Sequence, residues 1–254
     1  MKKMFWLCSA FVSLLALMGC GDVLVDTRDN QVYRTVTIGN QTWMAQNLNY
    51  RYVQLPNDSS SYCYNNIADS CAKYGRLYVR DAAMDIKGLV PGNNPIECSG
   101  DGSCKTPEVV RGVCPEGWHL PSKAEWDTLI AYAGGRPEAA KKLRTTDGWS
   151  NNNGREGCGN GSDELLFSAR PAGIGMINFW DDPPHGEIIR SQVSTAQGYW
   201  SFFWSSTVLE DHRAFLMGFT SCDNDSSLTS SESAGVQQMA FMFSIAVSVR
   251  CIKD

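Results

Sequence analysis

"CPEGWHLPSKAEWDTLIAYAGG", residues 114 to 135, decides the fold, because it contains one complete, capped amphipathic helix and the strand or turn that leads into it. Ser122 and Glu125 form an S-x-x-E capping box: the serine oxygen accepts the backbone N–H three residues on, and the glutamate reaches back to the cap. Trp126, Leu129, Ile130 and Ala133 follow at i, i+3, i+4 and i+7, giving one apolar face, and Gly134-Gly135 stops the helix. Pro121 keeps the incoming chain extended, so His119 falls in a strand or turn before the cap. The stretch is chemically rich, yet Glu125 is already employed, Asp127 falls on the solvent side, and His119 has no serine or cysteine nucleophile in a recognisable motif around it. It therefore reads as architecture.

Outward from this helix, Gln31 to Ile38 alternates and is rich in Val, Thr and Tyr, meets Gly39-Asn40 and resumes with "QTWMA", which predicts a β-hairpin with Trp43 turned into the core. "YGRLYVRDAAMD" at 74 to 85 predicts a short strand running into a short helix. The segment from Pro56 to Cys71 and "PGNNPIECSGDGSC" at 91 to 104 read as surface loops, each pinned by a local cysteine pair. No repeat and no long linker divides the chain, so a single domain is expected.

The first nineteen residues read as an export signal, with Lys2 and Lys3 ahead of an uncharged run from Met4 to Met18. That run falls short of the roughly 20 apolar residues a membrane span needs. It closes in "LMGC", which resembles the bacterial lipobox, so Cys20 is the expected lipidation site; a plain secretory signal is the alternative. Residues 20 to 28 then read as a tether and 29 to 254 as the domain. The chain has 22 basic and 27 acidic residues, a net charge of −5. Loss of the two signal lysines makes the balance still more acidic, and with no basic patch a nucleic-acid partner is not expected.

Ten cysteines are present; Cys8 leaves with the signal and Cys20 is acylated, so eight remain, an even set in an exported chain that favours disulfides. Zinc is disfavoured because none of them forms a CxxC pair and the chain has three histidines. No cofactor is expected either.

"DNQVYRTVTIGNQTWMAQNLNY", "YGRLY", the opening stretch, "KLRTTDGW", "LLFSARPAG", "FWSST" and the closing "SVRCIKD" together resemble the Fibrobacter succinogenes major paralogous domain over residues 29 to 254. That family is in turn similar to the C-type-lectin-like fold, and "GWHLPSKAEWDTL" resembles a segment of formylglycine-generating enzymes, which share it. The resemblance implies an α+β domain in which N- and C-terminal strands pair and small antiparallel sheets and long disulfide-pinned loops are hung on two helices. It also implies a long-range bridge from Cys114 to Cys251, leaving Cys63 with Cys71, Cys98 with Cys104, and Cys158 with Cys222. Fold alone does not choose among sugar binding, protein binding and catalysis.

The chemistry is sparser. The tripeptides that calcium-dependent lectins use are missing, and "DNDSS" at 223 to 227 starts like a calcium loop but has Leu228 where a glycine is needed and no closing glutamate. Formylglycine-type catalysis needs reduced cysteines, whereas Cys222 and Cys251 read more simply as disulfide partners. Rings beside carboxylates and hydroxyls suit a sugar face, which makes Trp180, Asp181, Asp182, Tyr199 and Trp200 the candidate ligand residues, with core packing as the alternative for the rings and as the expectation for Trp204. The expected function is a non-enzymatic, lipid-anchored binding or adhesion module of the bacterial outer membrane or cell surface, for polysaccharide or a surface protein. An enzyme on the same fold is the alternative.

Overall fold

The computed structural model describes residues 22–54, 58–99, 104–182, 187–208, 214–222, 235–241 and 245–254. In chain order the strands begin with β1 (Val23–Asp26), β2 (Gln31–Ile38), β3 (Gln41–Met44), β4 (Val53–Gln54), β5 (Asp58–Ser59) and β6 (Ser61–Tyr62). Helix α1 (Ala68–Tyr74), β7 (Leu77–Val79), α2 (Arg80–Ala83), β8 (Trp118–His119), α3 (Lys123–Tyr132) and α4 (Arg136–Leu143) follow. The second half is all strand: β9 (Ile174–Asp182), β10 (Glu187–Thr195), β11 (Trp200–Val208), β12 (Ala214–Thr220), β13 (Val236–Phe241), β14 (Ile245–Ser248) and β15 (Ile252–Lys253).

The class is α+β. One sheet has the order β1-β2-β3-β15-β8, so the last strand of the chain lies between the N-terminal hairpin and the lead-in to α3. A larger sheet runs β10-β9-β14-β11-β12-β13, with β7 joined to β14 and β6 to β7, and β4 and β5 form a small ribbon. Within the larger sheet β11 and β14 are parallel, and every other strand pairing in the described residues is antiparallel. The two longest helices are α3 and α4; α1 and α2 are shorter.

The hairpin forms in the expected register, with Ile38 opposite Gln41 across the Gly39-Asn40 turn. Helix α3 carries the capping box in full. Its apolar face closes the second of two main core clusters, where Trp126 packs 4.8 Å from Trp43 and 5.5 Å from Phe203. Trp204 is buried in the first, and its indole N–H donates to the Tyr78 carbonyl at 2.7 Å. The four bridges are Cys63–Cys71, Cys98–Cys104, Cys114–Cys251 and Cys158–Cys222.

The structure departs from the sequence expectations in three places. Residues 23 to 26, assigned to a tether, form β1 on the edge of β2. The reason is Asp26, which is fully buried and accepts from Arg28 Nε (2.8 Å) and Nη2 (2.6 Å), while Arg28 Nη1 donates to the Val113 carbonyl at 2.9 Å. The polar stretch before Cys71 is not loop throughout, since α1 begins inside it. The terminal run "FSIAVSVRCIKD", whose apolar and β-branched residues read as a single terminal strand, is divided: β14 ends in the larger sheet at Ser248 and β15 begins in the other at Ile252. Arg250, at the crossover, is wholly buried and anchors both sides.

Candidate functional site

His119 sits on β8 with both ring nitrogens occupied. Nδ1 lies 2.7 Å from Asp254 Oδ1 and Nε2 lies 2.8 Å from Glu125 Oε1. The other oxygen of Glu125 accepts from the Ser122 N–H and hydroxyl, each at 2.8 Å, completing the cap. Burial alone would lower the His119 pKa, but the hydrogen bonds and charges of Glu125 and Asp254 outweigh it and hold the pKa above its ordinary value. Burial raises the Glu125 pKa, and the bonds from His119 and Ser122 more than reverse this. The Ser122 hydroxyl serves Glu125 rather than His119, and the histidine ties β8, the start of α3 and Asp254 together. The eight described cysteines are all in disulfides, and among the described residues no group of three or more His, Cys, Asp or Glu is placed to hold a metal ion.

The aromatic candidates are not gathered into one place. Tyr199 is 45% exposed, in the turn before β11. Trp200 is partly buried against the first core cluster and meets Phe202 edge-on at 5.6 Å. Trp180 pairs with Ile189, six residues along β9 from Ile174, which pairs with Thr195 near the Tyr199 turn. At about 3.3 Å per residue that separation is roughly 20 Å, with Asp181 and Asp182 farther still. Cys20 and the "DNDSS" segment lie outside the described residues.

The structure brings together a different set. A groove of about 620 Å³ opens between the β2–β3 hairpin, the C-terminal end of α1 and the segments around Asp147 and Arg170. This is within the range of small-ligand sites, roughly 300–1,000 Å³. The Cys63–Cys71 bridge fixes α1, and Gly75 at its end (φ +75°) lets the helix approach closely, since a Cβ there would come within 2.6 Å of Asn47 Cβ. Asn47 Nδ2 then donates to the Tyr74 carbonyl at 2.8 Å, fixing Tyr74 and Lys73 along one wall. Arg34 of β2 and Gln46 line the hairpin side, where the Arg34 N–H donates to Gln46 Oε1 at 2.8 Å. Opposite, Arg170 Nη1 pairs with Asp147 at 3.2 Å.

Arg250 lies beneath. All its donors are used on neutral acceptors: Asn47 Oδ1 and the carbonyls of Met44, Phe167 and Ser168. Its guanidinium stacks over Phe167, 4.5 Å from the ring centre. No carboxylate pairs with it among the described residues. Burial lowers its pKa most, the charge of Asp163 raises it, and Arg34 and Arg170 lower it further, to about 9, so it stays charged at neutral pH. Asn49 also lines the groove, and its Oδ1 is buried with no hydrogen-bond partner among the described residues. Sequence reasoning missed this site because its residues are scattered from Arg34 to Arg250. The one local signal was a lone arginine in the otherwise apolar run before Cys251, the usual mark of a buried polar network.

Comparison with protein families matches residues 36–253 to the Fibrobacter succinogenes major domain. No curated protein and no solved structure gives a match. Since the family match spans most of the 254 residues, from the β2–β3 hairpin to β15, the protein belongs to the Fibrobacter succinogenes major domain family.

Proposed function

We propose that the protein is a non-enzymatic binding or adhesion module, held by lipid on Cys20 at the outer membrane or cell surface, and that its groove takes a polysaccharide. The groove is the observation that carries this reading: a walled depression lined by amide and guanidinium groups, with the partly buried Tyr74 at one side, offers the polar partners and apolar edge that suit a sugar. Export is supported by the signal-like start and by eight cysteines paired in four bridges. Among the described residues no helix is long and apolar enough to cross a membrane.

The test passes the full chain, purified in detergent micelles, over an array of bacterial and plant polysaccharides. Retention on a defined glycan is expected, weakened by about 1 kcal/mol in Tyr74→Ala, measured at a temperature where the variant is fully folded. Retention on no glycan, with a surface protein captured instead, replaces the saccharide with a protein ligand. Cleavage of a retained glycan makes the chain an enzyme.

A further inference from the structure

We infer that the groove selects acidic saccharides, in which a carboxylate carried on the sugar ring docks between Arg34 and Arg170. The inference deepens the proposed function and rests on it.

Four cationic side chains line the groove, Arg34, Lys73, Arg170 and Arg250, against a single lining carboxylate, Asp147. This local excess of positive charge stands on a chain whose net charge is −5, so it is not a reflection of overall composition. The Arg34 guanidinium is exposed and has no ion pair or hydrogen bond among the described residues. Arg170 shares Asp147 through one nitrogen, Nη1, and its side chain is 33% exposed. Arg250 places a charge beneath the groove floor that its own contacts leave without a counter-ion. Asp163 accepts from the Ser168 N–H at 2.7 Å and makes no ion pair with Arg250 among the described residues. A buried cation satisfied only by neutral acceptors leaves a field that an anion entering the groove relieves.

Planar guanidinium groups favour a planar, two-oxygen acceptor, so a carboxylate suits Arg34 and Arg170 better than a spherical ion does. The charge alone does not describe the ligand, because the amide residues Gln31, Gln46 and Asn49 also line the groove, and such groups suit hydroxyls. A ligand that also carries hydroxyls matches this lining, and the partly buried Tyr74 beside it adds an apolar edge. A carboxylate and hydroxyls carried on one ring describe a uronic-acid polymer.

The experiment measures binding of the full chain in detergent micelles to polygalacturonate, its methyl ester, a neutral β-glucan and polyglutamate. Polygalacturonate is expected to bind about tenfold or more tightly than the ester, since one charge-assisted contact is worth that much. Arg34→Gln and Arg170→Gln should each lower its affinity by a similar factor, and Arg34→Lys should restore only part. Because Arg34 is exposed, its variants should unfold at the unchanged temperature, which separates lost binding from lost fold. Equal binding of the ester or the β-glucan, insensitive to both arginine variants, overturns the inference and leaves the proposed function standing. Binding of polyglutamate as tight as that of polygalacturonate overturns the saccharide part, and binding of none of the four overturns both.

Discussion

Replacing Cys114 and Cys251 together by alanine removes the bridge that closes the longest loop in the protein, with a sequence separation of 137 residues. In the chain-entropy account, an isolated loop of that size is worth about 5 kcal/mol. The Cys158–Cys222 bridge lies inside it and, left intact, shortens the path through the cross-link, which trims the value to about 4 kcal/mol. The Cys98–Cys104 bridge, with a separation of 6, is worth only about 2.4 kcal/mol on the same scale. The long bridge also joins two wholly buried residues, and Met44 N–H donates to the Cys251 carbonyl at 3.0 Å, so its loss loosens the point where the chain crosses between sheets. Urea unfolding of the double variant, with the other three bridges oxidised, should show a loss near 4 kcal/mol. For a chain of this size that is a fall in melting temperature on the order of 10 °C. A loss no greater than that of the Cys98→Ala/Cys104→Ala variant would refute the reasoning, because loop length would then not set the contribution.

Trp126→Ala should cost about 3–5 kcal/mol by emptying the space between Trp43 and Phe203, measured by urea unfolding; a loss under about 1 kcal/mol would mean the second core does not depend on α3. Because the His119 pKa is raised on folding, its contribution is complete below the unfolded value near 6.5 and is lost as pH rises through the folded value. The urea midpoint should therefore decline across that window, and His119→Gln should flatten the decline; an unchanged slope would show that His119 does not supply it. Cys20→Ser should abolish incorporation of a labelled lipid precursor and release the chain from membranes, and continued labelling would remove the anchoring proposal.

The parts of the fold legible in the sequence are those set by short-range geometry. The capped helix follows from Ser122 and Glu125 three residues apart and from apolar residues at helical spacing, and the hairpin from alternation broken by Gly39-Asn40; neither depends on the rest of the chain. The short bridges follow from separations of 8 and 6 residues, which chain closure alone favours. Edge strand β1 was not legible, because it is held on β2 by its own buried Asp26 bound to Arg28, which reaches on to the Val113 carbonyl, a contact that composition does not announce. The split of the terminal run was hidden for a similar reason: "SIAVSVRCI" reads as one strand until Arg250 is seen turning inward to Asn47 and Phe167.

By itself, then, the sequence determined the capped helix, the β2–β3 hairpin, a cysteine set suited to disulfides and the family, since each is encoded in residue type and spacing. Where ligand chemistry gathers was decided only by the tertiary structure. Arg34, Tyr74, Asp147, Arg170 and Arg250 come from five separate segments, and they meet only because β15 inserts beside β3 while α1 is held against the hairpin end at Gly75. The rings that were conspicuous in the sequence were set apart by the same physics, because an antiparallel ribbon extends by about 3.3 Å per residue and so carries Trp180 away from the turn that holds Tyr199.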